Sequence, residues 1–384
     1  MLSFFCLLAL PNQQRPLLHA PAFAGACPRV SSFVGDWCKQ EPRNCLQSSN
    51  RCARRAFKNS LRIEASDTRA KTVLVSGGSG FVGRALVRKL LGSGKAVTLL
   101  ARDTEKARKT FNYKVEAIYF EATAADAPAK EVVEAVAGSD AIINLAGEPI
   151  SEGRWTAERK RRILESRVNG TLQLVRAVHH ADRKPKVLIS TSAVGYYGTS
   201  EVETFDEDSP SIGTDFLASV AKKWEAAAQD AGIRTVINRF GIVLGPDGGA
   251  LSRMLPLFNL FIGGTIGSGR QWISWIHIQD LVNIIMHELE SPDFQGVYNV
   301  TAPTPVQFQK FCDSLARALK RPNWLPVPSF TLQLILGEAA ELVLQGQRVL
   351  PKRLLQSGLK FQYQEIQPAL DEIAASWKLP VRSA

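Results

Sequence analysis

From Lys71 onward, short aliphatic and β-branched runs alternate with longer stretches whose apolar residues recur every three or four positions. The runs predict strands at 72–76, 96–101, 115–120, 141–145, 186–190 and 235–239. The stretches between them predict helices at 82–91, 129–136, 156–180 and 215–231. In the longest of these, Leu164, Val168, Leu172, Val175 and Val178 form a stripe expected to lie on the sheet. Strands alternating with helices imply an α/β architecture, a doubly wound parallel sheet. Beyond Gly241 the alternation loosens. Residues 245–275 are rich in Gly, Pro and aromatics, and 305–384 read mainly as helices broken at Pro322, Pro326, Pro328 and Pro351. Three regions follow: 1–65 without any sustained period, a sheet domain over 71–240, and a smaller, mainly helical C-terminal lobe within 241–384.

Charge sharpens this division. The chain has 384 residues with 47 Lys plus Arg against 36 Asp plus Glu, a formal charge of +11 that suggests a polyanionic partner. Residues 1–63 hold nine of the basic and only two of the acidic side chains, so most of the excess belongs to the first region. That region is also rich in Ser, Pro and Cys, the composition of an organelle transit peptide. Its apolar run 2–10 is not preceded by Lys or Arg, unlike a secretory signal, and the first basic residue is Arg15. The expected destination is the chloroplast, with the mitochondrion as the alternative.

Several chemistries are excluded. Five of the six cysteines lie in the first region, leaving Cys312 alone in the body, so neither a disulfide framework nor a cysteine-rich zinc site is available there. The histidines have no zinc-enzyme spacing, and there is no G-x-S-x-G elbow. The basic cluster Arg154, Arg159, Lys160, Arg161 and Arg162 is expected as a solvated helix face, and no nucleic-acid-binding motif accompanies it. The acidic run Asp206-Glu207-Asp208 is expected as a loop before a turn at Pro210. The apolar stretch 330–344 is shorter than the ~20 residues of a membrane span. It is expected as a core helix of the lobe, with peripheral membrane association or a partner contact as the alternative.

The strongest chemical signal follows the first strand. Gly77, Gly78, Ser79, Gly80, Phe81, Val82 and Gly83 form G-x-x-G-x-x-G leading into a helix. Glycines there permit a tight turn, close approach of backbone to a pyrophosphate and close packing of helix on strand, while the helix N-terminus faces the anion. The second predicted strand ends at Arg102, whose guanidinium can hold the 2′-phosphate of NADP. The next residue, Asp103, is the competing reading as an acid on an NAD ribose, or else a helix cap. The fourth strand delivers Asn144, Leu145, Ala146 and Gly147 at its carboxyl end, where ligands sit in open α/β sheets.

Together with Val168-Asn169-Gly170-Thr171, Ser190-Thr191-Ser192, Tyr197-Gly198 and the 275–281 segment, these motifs resemble the extended short-chain dehydrogenase superfamily, a Rossmann-type fold. Gly147-Glu148-Pro149-Ile150, Arg154-Trp155, 206–210, 223–228 and Gly346-Gln347-Arg348-Val349 more narrowly resemble its atypical "epimerase family" subgroup, which includes a plant plastid form linked to chloroplast division. The resemblance covers about 71–380. It implies catalysis by a tyrosine, a lysine four residues later, a Ser or Thr, and an Asn. Aligning Glu225 with the acid that follows that lysine by four puts Leu217 at the tyrosine position and Ala221 at the lysine position. Lys222 and Lys223 are turned roughly 100° and 200° away on a helix. Arg167 replaces the asparagine; it is expected to contact the cofactor or an anionic substrate, with a salt bridge as the alternative. The hydroxyl partner Ser192 remains, and Tyr196, Tyr197 and His277 are the available proton donors. The resemblance also implies cofactor contact by the loop containing Val243. The expected function is a regulatory NADP(H)-binding plastid protein with little turnover, its partners being a dinucleotide and an unidentified small molecule or protein. The alternative is an NADPH-dependent reductase or epimerase of a sugar-like or small carbonyl substrate, with Ser192 and Tyr197 replacing the missing pair.

Overall fold

A computed structural model describes residues 70–325 and 328–377; the expected transit segment 1–65 lies outside the described residues. Seven strands build the central sheet: β1 (Thr72–Ser76), β2 (Ala96–Ala101), β3 (Glu116–Tyr119), β4 (Ala141–Asn144), β5 (Val187–Ala193), β6 (Arg234–Phe240) and β7 (Gly296–Val300). All are parallel, in the order β7-β6-β5-β4-β1-β2-β3. Helices on both faces bury the strands from two sides, which explains their near-continuous apolar runs.

Over the sheet domain the helices are α1 (Phe81–Gly92), α2 (Thr104–Thr110), α3 (Lys130–Ala137), α4 (Ala157–His180) and α5 (Phe216–Gln229). After β6 come α6 (Leu251–Asn259), α7 (Ile278–Glu290), α8 (Phe308–Leu319), α9 (Ser329–Leu336), α10 (Glu341–Leu344), α11 (Lys352–Gln356) and α12 (Ile366–Ser376). One core packs α1, α2 and α7 on the sheet through Leu86, Val87, Ala107, Leu281 and Ile285. The core on the opposite face packs α3, α4 and α5 through Val132, Val136, Leu174, Val178 and Ala228.

Two expectations are corrected. β7 extends the sheet beyond six strands; its sequence Gly-Val-Tyr-Asn-Val mixes polar and apolar residues and lies beyond the region of regular alternation. On α4 the buried face runs through Ile163, Ser166, Gly170, Leu174 and Val178, so Leu164, Val168 and Leu172 are only half-buried. Polar residues occupy that face because each has a partner. Ser166 Oγ accepts from Glu148 N, Thr171 Oγ1 from Asn144 Nδ2, and Gln173 donates to the carbonyls of Glu121 and Ala124.

The C-terminal lobe has its own core, with Leu255, Phe258, Trp275, Phe311, Leu315 and Ile373 drawn from α6, α8, α12 and a short strand at Trp275–His277. Later segments return to the sheet domain. Leu354 and Phe361 enter the core of the α1 face, and the Asp280 carboxylate accepts from the backbone N–H groups of Gln362 and Tyr363. The stretch 330–344 is not simply a core helix, since Phe330 and Leu334, one turn apart on α9, are 68 % and 70 % exposed. Among the described residues no helix is long and apolar enough to cross a membrane.

Candidate cofactor cleft and active site

The glycine loop is tight enough to exclude side chains. Gly77 has φ +71°, and a Cβ on it would sit 2.6 Å from the Leu145 carbonyl. A Cβ on Gly83 would lie 2.2 Å from the Gly77 oxygen, and one on Gly78 would meet Leu99 at 2.6 Å. Gly80 N donates to Gly77 O at 3.0 Å, which closes the turn. No side chain caps α1, so its first N–H groups are left for an anion from outside the helix. The end of β4 is fixed beside the loop, because Ser76 Oγ donates to Asn144 Oδ1 at 2.6 Å and Leu145 N donates to Ser76 O. This cradle of bare backbone fits a dinucleotide's phosphates.

The other expected cofactor residues take distinct places. Ser79 is exposed at the loop tip, its carbonyl accepting from Arg84. The half-buried Phe81 ring is packed against Gly245, Gly248 and Gly249. Val82 and Val243 are half-buried against the core of the α1 face. Arg102 is exposed at the carboxyl end of β2 and has no hydrogen-bond or ion-pair partner among the described residues. Asp103 accepts from Lys106 N at 2.9 Å through Oδ1 and caps α2. Ala146 and Gly147 follow Leu145, and the Arg167 guanidinium covers Gly147.

The β5–β7 end is built differently. Ser192 Oγ donates to Glu225 Oε1 at 2.6 Å. Arg239 grips the same carboxylate through Nε and Nη2 at 2.8 and 2.7 Å, and both residues are about 5 % exposed. Arg239 Nη1 also donates to the Tyr197 hydroxyl, which donates to Asn299 Oδ1 at 2.9 Å. Asn299 N donates to Glu207, and Asn299 Nδ2 to Leu350 O. Burial pushes the Tyr197 phenol up, against the pull of Arg239. Burial alone would lower Arg239, but the hydrogen bonds and charge of Glu225 reverse this and hold the guanidinium charged. Ser192 and Tyr197 are therefore brought into one network, with both hydroxyls engaged inside it.

Leu217 and Ala221 are the residues expected at the tyrosine and lysine positions. Leu217 lies beside Gly195, where a Cβ would approach it to 3.8 Å, and Ala221 is buried. Lys222 and Lys223 are exposed, and Lys222 donates to Gly213 O. His277 is buried elsewhere. Its Nδ1 accepts from Gln279 N, so its Nε2 carries the proton and donates to Glu372 at 3.0 Å, while burial lowers its pKa. It borders a cavity of about 240 Å³ behind α1, lined also by Arg84, Arg88 and Asp247.

Several surface expectations change. Of the basic cluster, Arg161 and Arg162 are exposed and pair with Glu158 and Glu148, while the more buried Arg159 pairs with Glu148 and Glu152, and Lys160 with Glu338. The acidic run forms a clasp. Asp206 and Asp208 take Lys352, Asp208 also takes Arg353, and the buried Glu207 accepts from the backbone of Asn299 and Arg353. The Glu225–Arg239 pair was not singled out in the sequence. Its available signal was Asn238-Arg239, two polar residues placed between the apolar Val236-Ile237 and Phe240 of the strand.

A family model described as NAD dependent epimerase/dehydratase family matches residues 73–301, and one described as Domain of unknown function (DUF1731) matches 327–373. The chain is 45 % identical over 312 residues to the chloroplastic epimerase family protein SDR39U1 homolog of Arabidopsis thaliana, covering 79 % of this chain and 86 % of that one. It is 42 % identical over 309 residues to the epimerase family protein YfhF of Bacillus subtilis, covering 80 % and 99 %. The crystal structure of human epimerase family protein SDR39U1 with NADPH is similar at a TM-score of 0.70 and 38 % identity, covering 79 % of this chain and 99 % of that one. With loop, sheet order and sequence in agreement, the chain belongs to the NAD dependent epimerase/dehydratase family, in the atypical epimerase-family branch of the short-chain dehydrogenases.

Proposed function

We propose that this chain is an NADP(H)-binding regulatory protein of the plastid stroma, associated with plastid division and with little dehydrogenase turnover. The exposed Phe330 and Leu334 face suits peripheral contact with the envelope. The observation that carries the low-turnover reading is the state of the β5–β7 end. Leu217 and Ala221 stand at the tyrosine and lysine positions, and the Ser192 and Tyr197 hydroxyls are held by Glu225, Arg239 and Asn299. A positioned proton donor contributes roughly 10²- to 10⁴-fold to such reactions.

Support for the cofactor comes from the uncapped α1 beside a side-chain-free turn and from the human relative solved with NADPH. Gly77, Gly78, Ser79, Gly80, Phe81 and Val82 would hold the pyrophosphate by backbone, and Arg102 the 2′-phosphate. Leu145, Ala146, Gly147, Arg167 and Val243 would line the remainder. The dinucleotide would supply a hydride donor there. Support for the plastid is the acid-poor leader and the chloroplastic relative.

Nicotinamide fluorescence titration of the protein should show NADPH bound more tightly than NADH, and a panel of carbonyl compounds should leave NADPH unoxidised. Rapid oxidation lost on Ser192→Ala would replace this reading with a reductase. Import into isolated plastids should remove the leader, and retention of residues 1–60 would overturn that assignment.

A further inference from the structure

The helix expected to supply a cation to the cleft supplies none, because Ala221 is buried and Lys222 and Lys223 face solvent. A guanidinium nevertheless stands against that part of α5. Arg167, on α4, has its Cζ 5.3 Å from the centre of the Trp224 ring. Trp224 follows Ala221 by three residues and so shares its side of the helix. The contact is fixed: Trp224 Nε1 donates to Thr171 Oγ1 at 2.9 Å, and that hydroxyl donates to the Arg167 carbonyl at 2.7 Å. On its other side the guanidinium lies over Gly147, where a Cβ would come within 3.0 Å of Cζ. Position 147 thus leaves room for the arginine at the carboxyl end of β4, the edge where the ligand cleft of an open α/β sheet lies.

Among the described residues Arg167 has no ion-pair partner. Its Nη1 donates to the backbone carbonyls of Glu148 and Ile163 at 3.0 and 3.1 Å. Its Nε and Nη2 have no partner among the described residues. The nearest carboxylate, on Glu148, is taken by Arg159 at 2.8 Å and Arg162 at 3.3 Å. Burial lowers the Arg167 pKa to about 10, which still leaves it charged at neutral pH. A half-buried cation whose unused donors still reach open space is placed to take an anion. The more deeply buried Arg239, by contrast, is paired with Glu225.

We propose that Arg167 is the cleft's dinucleotide-holding cation, reaching from α4 with Nε and Nη2 to the oxygen-rich ribose and pyrophosphate stretch of NADP(H) and replacing a cation that α5 does not carry. This rests on the NADP(H) reading above. The glycine loop would then hold the phosphates from one side and Arg167 from the other.

The test is NADPH titration of the full chain by nicotinamide fluorescence for the wild type, Arg167→Met, Arg167→Lys and the double variant Arg167→Met/Ala221→Lys, with folding followed by circular dichroism. Arg167→Met keeps the packing on Trp224 and should weaken NADPH binding roughly 10- to 100-fold, the worth of one or two charge-assisted hydrogen bonds. Either lysine variant should recover part of that loss, since each returns a cation to the same space. Wild-type affinity in Arg167→Met would overturn the proposal while leaving the cofactor reading intact, and would point to an anionic substrate as the ligand of Arg167. A loss that neither lysine variant relieves would also overturn it, assigning Arg167 a packing role. A wild type that binds no dinucleotide would remove the cofactor reading and this proposal together.

Discussion

Along the carboxyl edge of one sheet, two neighbouring regions have opposite character. Around β1, β2 and β4 the molecule presents bare backbone, an uncapped helix and an exposed Arg102 without a partner among the described residues. Around β5, β6 and β7 the polar side chains are spent on each other: Ser192 on Glu225, Glu225 on Arg239, and Tyr197 on Asn299. The contrast teaches that free donors and a rigid, self-satisfied polar network can be kept apart along one sheet edge. Holding a dinucleotide needs donors left free, whereas a bidentate ion pair buried at about 5 % exposure serves rigidity.

The sharpest way to break the contrast is at the closed end. Glu225→Ala leaves Arg239 buried without its counter-ion and should lower the unfolding free energy in urea by about 3–5 kcal/mol. A change below about 1 kcal/mol would mean the pair is not what stiffens this end.

The next effect lies on the opposite face of β6. Glu288 is fully buried, accepts from Asn238 Nδ2 at 2.6 Å, and is pushed up to about 8 by burial despite that bond. Its folded pKa exceeds its ordinary 4.5, so between these values the folded state keeps a proton that the unfolded state has released. Stability should therefore fall as pH rises from about 4.5 to about 8, by a few kcal/mol in all. Glu288→Gln, which is neutral throughout, should flatten that slope in urea midpoints measured across the range. An unchanged slope would show that Glu288 does not govern it.

At the open end, Gly83→Ala places a methyl 2.2 Å from the Gly77 oxygen and must push α1 off the loop, so NADPH affinity should drop more than about tenfold by fluorescence titration. Arg102→Ala should cost roughly tenfold against NADPH and leave NADH unaffected, reducing the ratio of the two dissociation constants. The smallest effect is expected from Ser192→Ala. Arg239 still holds Glu225, so stability should fall by about 1 kcal/mol and NADPH affinity should stay within about twofold. A large loss of affinity there would place Ser192 in the open region after all.

The open region was legible in the sequence because its logic is local. Strand, turn and helix follow one another within 72–92, and the roles of Gly78 and Gly83 are set by the next strand and by residues a few positions apart, although Gly77 also meets the distant Leu145. The bounds of β1 and β2 fall where the β-branched runs end. The closed region was not legible because its partners come from distant segments. Tyr197 and Asn299 are 102 positions apart, and Glu207 meets Arg353 across 146. The apolar stripe on α4 misled for a related reason. Ser166, Thr171 and Gln173 can be buried only because Glu148, Asn144 and the 121–124 loop supply partners, and hydrophobic periodicity carries no record of that.

The clasp of Asp206, Glu207 and Asp208 on Lys352 and Arg353 bears on the order in which the chain acquires its shape. The buried Glu207 carboxylate waits for backbone donors at Asn299 and Arg353, and the core beneath α1 waits for Leu354 and Phe361. Emerging from a ribosome or a translocation pore N-terminus first, the sheet domain cannot close piece by piece. Its last stitches are made at the tail, and until that tail is through, unfinished surface on the α1 face must be shielded by something other than the protein itself.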